Sequence, residues 1–206
     1  SVSNDWGGDQ VLMFVSSDLI TWEKRLALHQ PDAKIYNTSI CKADDEFVMM
    51  YEIGEPQEEA GQAFTARFAT SKDLINWEAT APECIYAKDR YTAPHALRYY
   101  NGYYYNFYLE GIDEFRAYQT YVVRSRDLIN WIQSPLNPVL MSSMEDKIIA
   151  SNTLSAMQIQ KIKQATNINN SDIDFCEYQG RLIINYSWGD QLGSEFLSLA
   201  VFEGSL

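Results

Sequence analysis

The sequence predicts an all-β fold, a propeller made of repeated meanders, on three observations. A phrase of the form Ser-x-Asp-Leu-Ile-x-Trp occurs at 16–22, 71–77 and 125–131. Its aspartates, Asp18, Asp73 and Asp127, lie 55 and then 54 residues apart, a fixed period that marks a stacked or circular array. Each phrase also follows an alternating apolar run: 11–15, 64–70 and 118–124. Period-two alternation rich in aromatic and β-branched residues reads as strand. A unit of this size cannot bury its apolar face alone and leans on copies of itself.

The elements follow in order. Residues 1–30 form the back half of one blade: a strand, the first phrase, and its exit. Residues 36–90 form a full blade, with strand 38–42, the turn Asp44-Asp45-Glu46, strand 47–51, strand 64–70 and the second phrase. Residues 91–145 repeat this with strand 94–98, the turn Asn101-Gly102 and the aromatic strand 103–108; Asn-Gly between two strands is a strong hairpin signal. Residues 171–206 supply the front three strands of a fourth blade, with strand 174–178, the turn Gln179-Gly180 and strand 182–186. Within each phrase, Ser and Asp bond nearby backbone N–H groups to turn the chain. Its Trp is expected to pack between neighbouring units. One stretch breaks the pattern. In 155–165, Met157, Ile159, Ile162 and Ala165 stand at helical spacing, so about 150–168 is a helical insertion, either a solvent-facing decoration or a cap over one mouth of the ring.

About three and a half blades result, whereas closed propellers typically have four to eight. The propeller is thus expected to be incomplete, with one short inserted helix. The sequence is read as a piece of a longer protein, or as a ring closed in an unusual way. Exposed blade edges invite pairing with another chain, so a homo-oligomer is expected.

Composition narrows the function. Hydrophobic residues make up 46% of the 206, ample for a single domain over 1–206. A formal charge of −12 argues against nucleic acid, whose phosphates require an excess of Lys and Arg. No run of 18 apolar residues exists to span a membrane. Cys41, Cys84 and Cys176 lack metal-ligand spacing and read as small core residues.

In a propeller the innermost strands converge on a central channel, and their starts face one mouth. The polar segments there are 36–39, 91–95 and 169–174. Together with the repeated phrase and Asn101-Gly102-Tyr103-Tyr104-Tyr105, they give the chain a resemblance to the five-bladed propeller glycoside hydrolases. These are the family 43 group, with relatives in families 32 and 117, and the resemblance covers nearly the whole chain. It implies three carboxylates at inner-strand starts, one protonating the leaving oxygen and another acting as base or nucleophile. This chain departs from that pattern. Where the family has Glu-Gly-Pro-His, it has Thr92-Ala93-Pro94-His95, and where the family has Asp-Pro, it has Asn37-Thr38. Only the last blade keeps acids, Asp172 and Asp174. His95 is the alternative acid, since histidine titrates near neutrality; otherwise it is a structural group at the channel. Asp172 and Asp174, two apart on a strand, are expected on one face. They would serve as general base, as partner to the acid, or as ligands of a calcium ion with carbonyl oxygens; their plain role is bonding to turn backbone.

Catalytic candidates are therefore Asp172, Asp174 and His95, and substrate-binding candidates are Asn37, Thr92, Trp188 and Trp6. The two tryptophans lie in similar loops, Asp5-Trp6-Gly7-Gly8 and Ser187-Trp188-Gly189-Asp190, and could stack on a sugar face or pack between blades. Glu52 and Glu110 are secondary acids whose repetition favours a structural role. No cofactor is required, and calcium is the one cation considered. The function implied is hydrolysis of a plant or algal polysaccharide or oligosaccharide. The alternative is a non-catalytic carbohydrate-binding propeller that has lost its general acid. The resemblance also implies a secreted or periplasmic protein.

Overall fold

The computed structural model describes residues 7–62 and 64–204. Strands dominate it. The first two, β1 (Gln10–Val15) and β2 (Glu23–His29), form a hairpin around the first phrase. The next sheet has the order β3-β4-β5-β6, from β3 (Lys34–Ala43), β4 (Glu46–Glu55), β5 (Thr65–Ser71) and β6 (Glu78–Ala79), with β7 (Ile85–Tyr86) also on β5. A one-turn helix, α1 (Gln57–Ala60), links β4 to β5. The third sheet repeats this plan with β8 (His95–Tyr100), β9 (Tyr103–Ile112), β10 (Ala117–Ser125) and β11 (Ile132–Gln133) in sequence order, and β12 (Leu140–Met141) on β10. The last sheet is β13 (Asn169–Tyr178), β14 (Arg181–Gly189) and β15 (Glu195–Phe202). The antiparallel meanders fall where the repeats placed them.

The expected helix is α2 (Ala156–Gln164). Its start is written in the sequence. The Ser155 hydroxyl accepts the Gln158 N–H, while the Gln158 side-chain oxygen accepts the Ser155 N–H, a capping box that satisfies two otherwise orphaned donors.

The chain divides into two compact units. One holds the chain up to Asn106 together with Val123–Gln133, and the other holds Phe107–Val122 and the chain from Ser134 onward. In the first unit, Val11, Ala27, Leu28, Ile35, Met49, Tyr51, Ile53, Ala60, Ala69 and Trp77 form one buried cluster. In the second, Phe107 meets Phe175 edge-on at 4.9 Å and Tyr108 stacks on Tyr121 at 5.8 Å. There the Asn137 side chain imitates a strand partner. Its Oδ1 accepts the Val122 N–H and its Nδ2 donates to the Val122 carbonyl.

The repeated phrase has the same structure in all three copies. Asp127 Oδ1 accepts the N–H groups of Ile129 and Asn130 at 2.9 and 2.8 Å, and Oδ2 accepts the Asn130 side chain. Asp18 and Asp73 make the matching bonds. The leucines that follow, Leu19, Leu74 and Leu128, take φ of 61°, 66° and 62°, a left-handed conformation costly for L-residues that the neighbouring Asp bonds hold in place. The turn then delivers its Trp onto the preceding sheet. Trp77 joins the cluster containing Val11 and Leu28 from the β1–β2 hairpin. Trp131 stacks on Phe68 at 5.8 Å and donates its indole N–H to the Ile85 carbonyl. Trp22, in the first copy, is 54% exposed.

One expectation about the cysteines fails. Cys41 and Cys84 are buried, but Cys176 is exposed. Burial pushes the Cys41 thiol up to about 12.

Two outcomes follow from the turns and their tryptophans. Trp77→Ala removes a 9%-exposed indole and costs about 3 kcal/mol, whereas Trp22→Ala costs under about 1 kcal/mol; urea unfolding of the two variants measures the difference. The turn N–H groups hold the carboxyls of Asp18, Asp73 and Asp127 well below the usual range. Because the folded value is depressed, the charge contribution is complete above the unfolded value of about 4 and disappears as pH falls through the folded one. Asp127→Asn therefore lowers Tm at pH 7, and thermal scans show the gap to the unsubstituted protein closing as pH drops towards about 2.

Candidate active site

In the first unit, the start of the inner strand β3 carries a bulge. Ile35 pairs with Ile53 and Thr38 with Tyr51, so two residues on β3, Tyr36 and Asn37, oppose the single Glu52 on β4. A bulge re-aims side chains and often lies beside a functional site. Here it brings the Asn37 amide to Glu52, donating to Oε2 at 2.8 Å. The other carboxylate oxygen, Oε1, accepts the backbone N–H of His95 at 2.8 Å and lies 2.9 Å from His95 Nδ1. One carboxylate thus binds both the backbone and the ring of the first residue of β8. The side chains of Glu52 and His95 are both 0% exposed. Two residues further on, the Leu97 N–H donates to the Ser39 hydroxyl, extending the tie between β8 and β3.

A carboxylate buried to this degree requires partners for its oxygens, and three donors supply them. The arrangement orients the imidazole through Nδ1 and leaves Nε2 as the nitrogen for any proton exchange, the usual division of labour between the two ring nitrogens. Thr92 is fully buried, and its hydroxyl has no hydrogen-bond partner among the described residues. A threonine hydroxyl has no titratable proton in the working range, so Thr92 cannot repeat the role of a Glu at that position. Asn37, Glu52, Thr92 and His95 all belong to the first unit.

The second unit carries the matching bulge at the start of β13. Ser171 pairs with Ser187 and Asp174 with Asn185, which leaves Asp172 and Ile173 opposite Tyr186. Asp172 has φ of 52°. Alternation therefore does not run unbroken from Asp172 to Asp174, and the expectation of a shared face, which assumed a regular strand, is corrected. Asp172 Oδ2 accepts the hydroxyls of Ser171 and Ser187, each at 2.7 Å. Asp174 Oδ1 accepts the Phe175 N–H at 2.8 Å. Both aspartates are exposed.

The buried acid of this unit is one that sequence reading missed. Asp146, in the 3-10 helix Met144–Lys147, accepts the Tyr186 hydroxyl at 2.6 Å and the Asn170 amide at 3.2 Å on Oδ1. Its Oδ2 takes the Ser143 N–H and the Asn167 amide. Half of this was legible, because Ser143-x-x-Asp146 is a capping pattern; the remainder depends on contacts distant in sequence. Burial, followed by the bond to Asp146, holds the Tyr186 hydroxyl well above its usual range. With four donors on two oxygens, Asp146 locks the start of β13 to the insertion. A cavity of about 830 Å³, lined by Met141, Asp146, Ile162, Tyr186, Leu197 and Leu199 among others, lies in this unit.

Trp188 is 1% exposed and stacks on Phe196 at 4.7 Å. Trp6 lies outside the described residues. Among the described residues, no group of three or more His, Cys, Asp or Glu side chains is arranged to hold a metal ion.

No family model matches the chain, and no curated protein matches it in sequence. Solved structures do match in fold. A GH32 beta-fructofuranosidase of Bombyx mori superposes with a TM-score of 0.61 at 17% identity, over 94% of this chain and 40% of that one. A family 117 glycoside hydrolase of the marine bacterium Zobellia galactanivorans gives 0.61 at 12% identity, over 96% and 57%. A thermostable family-43 glycoside hydrolase gives 0.61 at 16% identity, over 96% and 63%. The chain therefore has the fold of the propeller glycoside hydrolases, as an incomplete propeller spanning about half the length of these relatives. No helix among the described residues is long and apolar enough to cross a membrane.

Proposed function

We propose that this chain is the propeller part of a glycoside hydrolase that acts on a plant or algal polysaccharide or oligosaccharide. The observation that carries this reading is the buried Glu52–His95 pair at the start of an inner strand, in a fold shared with glycosidases of three families. In the proposed mechanism His95 supplies the proton to the leaving oxygen and Glu52 holds the ring and balances the imidazolium charge. Such chemistry also needs a second carboxyl group as base or nucleophile. Asn37 contributes by anchoring Glu52. Because both side chains are closed to solvent, the His95 ring must become accessible when substrate binds, a gating step of the kind that loops and lids perform in many enzymes. Assembly through the outer edge of β15, which among the described residues pairs only with β14, belongs to the same proposal.

Activity on a panel of aryl glycosides and plant or algal polysaccharides tests the reading. His95→Gln is expected to lower kcat at least about 100-fold, the lower bound for losing a general acid, with KM little changed. Glu52→Gln is expected to lower kcat by a smaller factor, since it keeps the shape and loses the charge. Full activity in His95→Gln refutes the assignment of the acid. Glycan binding without hydrolysis across the panel refutes the enzyme and leaves a binding propeller.

A further inference from the structure

At the far end of the inner strands, the surface between the hairpin turn and the Ser-x-Asp-Leu-Ile-x-Trp phrase differs sharply between two blades. In the β3–β6 sheet it holds a cavity of about 400 Å³ lined by Glu46, Thr70, Ser71, Lys72, Asp73, Asn76 and Glu78. Lys72 lies 3.4 Å from Asp45 and 3.6 Å from Glu46, so its charge is neutralised. The phrase aligns Ser71, Lys72, Asp73 and Asn76 with Ser125, Arg126, Asp127 and Asn130. The same alignment sets Thr70 against Arg124 and Glu78 against Ile132, and the first strand residue after the turn is Glu46 in one blade and Tyr103 in the other. Both variable acids are thus gone from the β8–β11 sheet and one cation has been added. The four variable positions change from a net −1 (Glu46, Thr70, Lys72, Glu78) to a net +2 (Tyr103, Arg124, Arg126, Ile132).

Neither arginine has a carboxylate within ion-pair distance among the described residues. Both guanidinium groups instead lie over the Tyr103 ring, at 4.6 Å for Arg124 and 4.5 Å for Arg126. Stacking of a guanidinium on a ring leaves its in-plane N–H fork open to carboxylate or sulfate oxygens. Ile132 beside them is 57% exposed, so the surface offers an apolar platform as well as charge. In a chain of net −12, an uncompensated pair of arginines on an aromatic ring suits a ligand that is itself anionic and has an apolar face.

We infer that Tyr103, Arg124, Arg126 and Ile132 form a secondary binding site for an acidic glycan, with Tyr103 holding the two arginines, the arginines taking a ring carboxylate or sulfate, and Ile132 meeting the C–H face of the sugar. The ligand class rests on the carbohydrate reading above. The site itself is separate from His95, because β8 runs its six residues between them, about 20 Å of strand.

Affinity electrophoresis in gels containing polygalacturonate, a sulfated agar polymer or neutral arabinan tests this, with oligosaccharides of the retained polymer for titration. The intact protein is expected to be retarded by one or both acidic polymers, and to a smaller extent as salt rises. Arg124→Gln with Arg126→Gln is expected to weaken that binding at least tenfold at 50 mM salt without lowering Tm by more than a few degrees, and Lys72→Gln is expected to leave it unchanged. The arginine-to-lysine pair should recover part of the affinity. Whichever acidic polymer is retarded identifies the anion as carboxylate or sulfate. Equal retardation of the double variant, equal retardation in arabinan, or equal loss in Glu52→Gln overturns this site while leaving the central one untouched. Binding to no glycan, neutral or acidic, overturns both.

Discussion

The carboxylate of Glu52 is the constraint on which the first unit's site depends. It is fully buried and takes donors from β3 and from β8. Removing any one of these donors would leave part of a buried charge uncompensated, which is costly in a way that an exposed ion pair is not. Three local features converge to make the arrangement tolerable. The bulge at Tyr36 and Asn37 turns the amide towards Glu52. The start of β8 spends a backbone N–H on a side chain rather than on a strand. Trp131 ties the two sheets together as well, through Phe68 and the Ile85 carbonyl.

The two bulged inner strands show how one backbone device serves two ends. In each, the residue opposite the bulge points a polar side chain into buried space. Opposite Tyr36 and Asn37 this residue is Glu52, which holds His95. Opposite Asp172 and Ile173 it is Tyr186, which donates to Asp146. The two-against-one register repeats while the chemistry does not. A charged residue in the first case requires several neutral or cationic donors, and a phenol in the second requires one strong acceptor, which the 3-10 helix supplies.

The parts of this legible in the sequence are those set by local pattern. The alternating runs gave the strands, Asn101-Gly102 the hairpin, the spacing of Met157, Ile159, Ile162 and Ala165 the helix, and the phrase at 125–131 both its turn and the packing of its Trp. Side chains whose partners are remote in sequence stayed hidden. Glu52 was legible only as an acid at the end of an apolar strand, because its pairing spans 43 residues to His95. Asp146 lies 40 residues from Tyr186. The bulge at Asp172 escaped because strand alternation is a rule for regular pairing, and the left-handed φ that breaks it has no sequence cue as strong as a glycine.

Repetition gives a way to separate scaffold from specialisation that single positions do not. Ser125, Asp127 and Trp131 keep the identities of Ser71, Asp73 and Trp77 and share their turn bonds, with Trp131 adding one to the Ile85 carbonyl. These are therefore what the blade itself requires. Positions free of that duty, such as 46 and 103 or 70 and 124, diverge in charge while the strands around them stay in place. The same logic applies to the inner-strand starts. Thr92 is buried, its hydroxyl has no partner among the described residues, and it has no proton that titrates in the working range, so in the proposed chemistry the acid role passes along the same segment to His95, whose orientation is set by a carboxylate on the neighbouring sheet. The scaffold fixes where a proton donor can stand, and the side chain found there decides whether one does.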